Sequence, residues 1–244
     1  MKKLFYFLPI GIFLAAGVSC LSTPVPLRLV YHEGKKTTGN TLFVLLPGNQ
    51  SAPEEFEKEG FVRLLKKYHP DADSIAVDAP IGYYIKGILP QRLMEDVIKP
   101  ARLKGYTRIW LVGVSMGGSG ALWYLKTYPG TIQGVLLLAP FIADQKIVEE
   151  IERSGGLKKW EPAAPPDKKD YQRAQLQWLK RYISPRPPLP ILTLGFGESD
   201  RFERSNRLIA EVLPARNVFT TRGGHEWKTW REIFEQFLKS GLIQ

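Results

Sequence analysis

Arg108-Ile109-Trp110-Leu111-Val112-Gly113-Val114-Ser115-Met116-Gly117-Gly118 is the stretch whose reading decides the fold. Its first half is a nearly continuous run of bulky apolar residues, Ile109 to Val112. Such a run suits a strand buried on both faces of a sheet. Its second half, Gly113-Val114-Ser115-Met116-Gly117, reads as a sharp turn into a helix, expected over 119–128. At a strand-to-helix turn a serine hydroxyl projects from the carboxyl edge of the sheet. The flanking glycines let backbone pass where side chains would collide. The helix start offers free N–H groups and the positive end of a dipole to a developing negative charge. Taken alone, the pentapeptide is also compatible with a plain glycine-rich turn.

Outward from this point, strands and helices alternate. Before it, 27–31 reads as an opening strand, Thr41–Leu46 as a fully apolar strand and 74–77 as another. Helical spacing covers 53–68, with Phe56, Phe61, Leu64 and Leu65 on one side, and 89–103, with Leu93, Val97 and Ile98 inward. After it, strands are expected at 132–138, 191–195 and 217–220, and an amphipathic helix at 227–238. Apolar strands separated by helix-length segments imply an α/β fold, a mostly parallel central sheet flanked by helices. Residues 141–190 interrupt the rhythm with two helical pieces, 144–153 and 170–182, and proline-rich connections. An insertion of that length reads as a cap over a site. The expected organisation is a signal segment at 1–20 and one domain at 21–244 with the cap at 141–190.

A serine nucleophile needs a base, and histidine has the suitable pKa. On an elbow of this kind the acid and then the histidine follow the serine along the chain. Of three histidines, His32 and His69 precede Ser115, which leaves His225, in Arg222-Gly223-Gly224-His225 between the last strand and the last helix. The acid is expected after strand 191–195, where Gly197-Glu198-Ser199-Asp200 stands; Asp200 is the choice and Glu198 the alternative. Asp200 equally suits the cap of a helix beginning near residue 201. Two donors are needed for an oxyanion: the Met116 backbone N–H, and one from Leu46-Pro47-Gly48-Asn49-Gln50, with Asn49 ahead of Gln50.

These segments resemble the α/β-hydrolase superfamily over roughly 41–238. The likeness rests on Leu-Pro-Gly-Asn at 46–49, Gly-Val-Ser-Met-Gly-Gly at 113–118, Gly-Glu-Ser-Asp at 197–200 and Gly-Gly-His-Glu-Trp at 223–227. The last segment, with Trp230 three residues on, is similar to esterases of the esterase D and feruloyl esterase kind. The pattern departs at Pro47, where many members carry histidine before the glycine. The resemblance implies cofactor-free hydrolysis of an ester, thioester or amide through an acyl-enzyme on Ser115; a carboxylic ester or thioester is the expectation, with a small-molecule ester as substrate. An acyltransferase or peptidase on the same fold, or a non-catalytic envelope lipoprotein, are the alternatives.

The rest of the chain bears on location. Lys2 and Lys3 precede an uncharged stretch, 4–18, that ends in small residues, the pattern of a secretory signal. That stretch is short for a bilayer span, which takes about 20 apolar residues. Cys20 is the single cysteine and follows in Gly17-Val18-Ser19-Cys20, which resembles a bacterial lipoprotein signal. The expectation is export, lipidation of Cys20 and a membrane-anchored lipoprotein at the cell envelope. The net charge of +10 is spread in doublets without a stripe, which reads as a solvated basic surface and not as a nucleic-acid site. No His, Cys and carboxylate set has metal-ligand spacing. Trp110, Trp123, Trp227 and Trp230 read as core, and Trp160 and Trp178 as cap packing or acyl-pocket lining. Glu95 and Asp96 read as a solvated helix face, and Asp78 as a cap at the end of a strand.

Overall fold

The computed structural model describes residues 22–35, 40–166, 170–182 and 190–243. Seven strands form one sheet: β1 (Leu29–His32), β2 (Thr41–Leu46), β3 (Asp73–Val77), β4 (Arg108–Val114), β5 (Gly134–Leu138), β6 (Ile191–Gly197) and β7 (Val218–Thr221). Their order is β1-β3-β2-β4-β5-β6-β7. β1 runs antiparallel to β3, and every other pair is parallel. All residues of β2 and β5, and all of β4 except Arg108, are buried, so helices must cover both faces.

Helices α1 (Glu55–Lys58) and α2 (Phe61–Tyr68) follow β2. The expected single helix over 53–68 is broken between them by Gly60, which adopts φ 86°. After β3 come α3 (Ile81–Ile85), α4 (Leu89–Leu93) and α5 (Lys99–Leu103). A π-helical turn, Met94–Ile98, joins α4 to α5. Pro100 lacks the N–H that would continue the ladder, and a wider turn beside it absorbs the loss. Asp96 is not on a solvated face: it accepts the Leu27 N–H at 3.0 Å. α6 (Met116–Thr127) starts three residues before the expected helix, directly after Ser115. Three glycines in its first turns hid that start, because glycine is a poor helix former.

The last helix, α10 (Trp227–Lys239), packs against β6, β7 and α2, where Phe234 stacks on Phe61 at 4.8 Å. Trp110 of β4 meets Phe237 of α10 edge-on at 5.2 Å. α6 packs on β2, β4 and β5, and α4 packs on α6.

Between β5 and β6 lie α7 (Gln145–Arg153), capped by the Asp144 carboxylate, and α8 (Tyr171–Tyr182). Glu150 of α7 joins them. It accepts from Trp160 Nε1 at 2.8 Å and from Arg173 Nη2 at 2.5 Å. Trp160 is buried by this packing, and Trp178 lies against Tyr182 at 4.8 Å. The proline-rich return at 185–190 falls outside the described residues up to 189, as does the signal segment with Cys20. α9 (Glu203–Ala210) follows β6. Among the described residues no helix is long and apolar enough to cross a membrane.

Candidate active site

Ser115 stands between the end of β4 and the start of α6 with φ 51° and ψ −115°. Non-glycine residues avoid that region, and holding one there costs about 1–3 kcal/mol. Neighbouring backbone holds it. The Ser115 N–H donates to the Leu138 carbonyl at 2.8 Å, and the Ser115 carbonyl accepts from Ser119 and Phe141 N–H groups at 3.2 and 3.3 Å. The elbow has no space for side chains on its flanks. A Cβ on Gly113 would sit 2.3 Å from the Gly117 carbonyl oxygen, and one on Gly117 would sit 2.2 Å from that of Leu46.

His225 arrives from the loop after β7. Its Nε2 lies 2.9 Å from Ser115 Oγ. Its Nδ1 lies 2.8 Å from Asp200 Oδ2 and 3.0 Å from Oδ1. The Asp200 side chain has no exposed surface. Asp200 also closes the turn that follows it, as its Oδ1 accepts the Phe202 N–H at 2.8 Å. Of its two sequence readings the partner of histidine is realised; in place of the helix cap the carboxylate closes this short turn, and the helix starts at Glu203 with Phe202 at its N-cap and no side-chain cap. Glu198, the alternative acid, is exposed and makes its backbone bond to Thr221.

Of the glycine pair before His225, the first is closely packed. Gly223 takes φ 137°, and a Cβ there would lie 2.2 Å from Thr229 Oγ1. Its carbonyl accepts the Ser199 N–H at 3.0 Å, which ties the histidine loop to the Asp200 loop. Two rings flank the imidazole edge-on, Phe202 at 4.9 Å and Trp230 at 4.8 Å. Sequence reasoning placed Trp230 in the core, where it is, but did not anticipate its contact with His225. Phe202 was missed, although its position two residues after Asp200 was the available signal.

Met116 is the first residue of α6, so its N–H has no helical acceptor. The loop after β2 lies against the elbow: a Cβ on Gly48 would be 3.5 Å from Ser115 Cβ. Asn49 and Gln50 beside it are exposed, and Gln50 turns through φ 62°. Two cavities, about 460 and 350 Å³, open at the opposite edge of the sheet, near Arg108 and Tyr106 respectively.

A mostly parallel seven-stranded sheet with helices on both faces and a serine on the elbow after its fourth strand defines an α/β hydrolase. The chain belongs to the esterase family described as "Putative esterase", whose model matches residues 84–240. No curated protein matches the chain in sequence. Among solved structures, it is similar to FphF of Staphylococcus aureus, a fluorophosphonate-binding serine hydrolase. That match has a TM-score of 0.62 at 13% identity and covers 88% of this chain and 92% of that one. The S-formylglutathione hydrolase FrmB of the same species gives 0.61 at 12% identity, with 89% and 93% covered. Est1E of Butyrivibrio proteoclasticus gives 0.59 at 16% identity, with 89% and 95% covered. At these identities the likeness is one of fold.

Proposed function

We propose that the protein is a serine esterase that cleaves a small carboxylic ester or thioester through an acyl-enzyme on Ser115. The observation that carries this reading is the unbroken chain of hydrogen bonds from the Ser115 hydroxyl through His225 to a fully buried carboxylate. Ser115 Oγ attacks the carbonyl carbon while His225 Nε2 takes its proton. The imidazolium, stabilised by Asp200, then protonates the departing alcohol or thiol. Water repeats the cycle: His225 removes its proton, the hydroxide adds to the acyl carbon, and Ser115 leaves with the proton returned. The Met116 N–H and a donor at Asn49 face the oxyanion. Residues 141–190 act as a cap that shapes the acyl side of the site. The chain is exported and held at the cell envelope by a lipid on Cys20.

Membership of an esterase family supports the reaction class, and fluorophosphonate binding by FphF makes that reagent the natural probe. The test is hydrolysis of a p-nitrophenyl ester series beside fluorophosphonate labelling, comparing the parent with Ser115→Ala. The variant is expected to lose about 10⁴-fold or more in kcat/KM and all labelling. Equal rates in the two proteins would remove Ser115 from the reaction. Mass spectrometry of the mature N-terminus tests the anchor, and an unmodified start beyond Cys20 would exclude it.

A further inference from the structure

The chain enters the sheet at the edge that carries the triad. β1 is antiparallel to its neighbour, so its first residue, Leu29, pairs with Val77, the last residue of β3. The parallel strands end at this edge, and Ser115 follows the end of β4. The residues before β1 are pinned there. Lys86 Nζ donates to Thr23 Oγ1 at 2.7 Å, and the Tyr83 hydroxyl donates to the Pro24 carbonyl at 2.6 Å. Arg28 bridges Asp78 at 2.8 Å and Glu54 at 2.6 Å. The receiving helix, α3, touches the helix that bears the nucleophile. A Cβ on Gly120 would lie 2.7 Å from the Tyr84 hydroxyl. Gly120 is five residues from Ser115, about 7–8 Å along the helix axis. Beside these contacts Val25 and Ile85 are 63% and 66% exposed, next to exposed Lys86.

From Cys20 to Thr23 the chain advances three residues, which reach at most about 10–11 Å when extended. The headgroup layer of a bilayer is itself about 5–8 Å thick. A lipid on Cys20 therefore leaves α3 almost no distance from the membrane. We infer that the face formed by Val25, Ile85 and Lys86 rests on the bilayer, and that the triad edge opens toward it. The two apolar side chains enter the headgroup layer, and the ammonium meets lipid phosphate. Esters that partition into the bilayer then reach Ser115 from the side on which the protein is held. This inference rests on the lipid anchor proposed above.

The test uses Ile85→Cys and Leu103→Cys, each carrying an environment-sensitive fluorophore, in the lipidated full chain. Leu103 is 89% exposed at the end of α5, which leads to the start of β4 at the opposite edge. The parent, with Cys20 as its single cysteine, is the blank. In vesicles of phosphatidylethanolamine and phosphatidylglycerol, brominated lipid should remove most of the emission at 85 and leave 103 unchanged. Equal quenching at both positions, or none at 85 in a chain that sediments with the vesicles, overturns the orientation. Shielding of 85 that grows with protein concentration in vesicle-free solution places a second copy on this face and also overturns it. Failure to sediment, with an unmodified N-terminus, overturns the anchor and this inference with it. Hydrolysis of a water-soluble ester, measured on the same samples, reports separately on the esterase reading.

Discussion

Asp200 does two jobs with one carboxylate, and that sets what its replacement will do. Asn at 200 keeps an oxygen for the Phe202 N–H, so the local turn survives. It loses the negative charge beside the imidazole and can favour the wrong tautomer. Asp200→Asn is therefore expected to lower kcat about 10³–10⁴-fold with little change in KM or in thermal midpoint, as read by steady-state kinetics and thermal unfolding. A second expectation concerns the backbone of Ser115. Ala and Gly at 115 both remove the hydroxyl, but only glycine tolerates φ 51° without strain. Ser115→Gly should melt about 2–4 °C above Ser115→Ala, the relief of strain outweighing the greater freedom of glycine in the unfolded chain. Equal midpoints would show that the turn stores no strain. At this scale the sequence was informative about Ser115, Asp200 and His225, because their order along the chain restricts the choice. It gave only the place of Phe202 two residues after Asp200, and nothing of the ring contacts that Phe202 and Trp230 make, because a ring beside a histidine has no periodic signature.

Elements were legible in proportion to how completely they are buried. β2, β4 and β5 stand out because burial on both faces demands continuous apolar runs. α3 was not anticipated, and α9 only as a helix beginning near residue 201, since each is short and depends on tertiary contacts more than on its own pattern. The insertion between β5 and β6 gives a prediction at this scale. The Arg173 guanidinium first, and Trp160 Nε1 after it, hold the Glu150 carboxyl below the usual carboxylate range, against the opposing effect of burial. A depressed folded-state pKa stabilises the protein above the unfolded value of about 4.3, and that contribution is lost as pH falls through the folded value. Glu150→Gln should lower the midpoint at neutral pH by up to about 2–4 °C, since a partly exposed pair of this kind is worth about 1 kcal/mol or less. The difference from the parent should shrink as the pH is taken below about 4. A constant difference across that range would assign the loss to packing.

At the scale of the molecule, the sheet is tied together by a few large side chains. Trp110 sits at its centre, fully buried, with Phe237 against it and Gly134 beneath its ring. Trp110→Ala should cost about 3–5 kcal/mol, a fall in midpoint of about 10 °C, in calorimetry or denaturant titration. A loss below about 1 kcal/mol would mean that the surrounding helices collapse into the gap. The parallel architecture was readable from alternating strands and helices. The strand order was not, because which strands become neighbours depends on crossovers that no local pattern encodes.

That order also sets a schedule for synthesis. β2 lies between β3 and β4, so its partners begin at residues 73 and 108, well behind it on a nascent chain. Until both have been translated, its run of apolar side chains has nowhere to go, and contacts so distant in sequence form slowly. If the chain is exported as proposed above, it must be threaded through a translocon before it folds, and such a delay helps. The same delay leaves a sticky segment exposed that a holdase chaperone would bind.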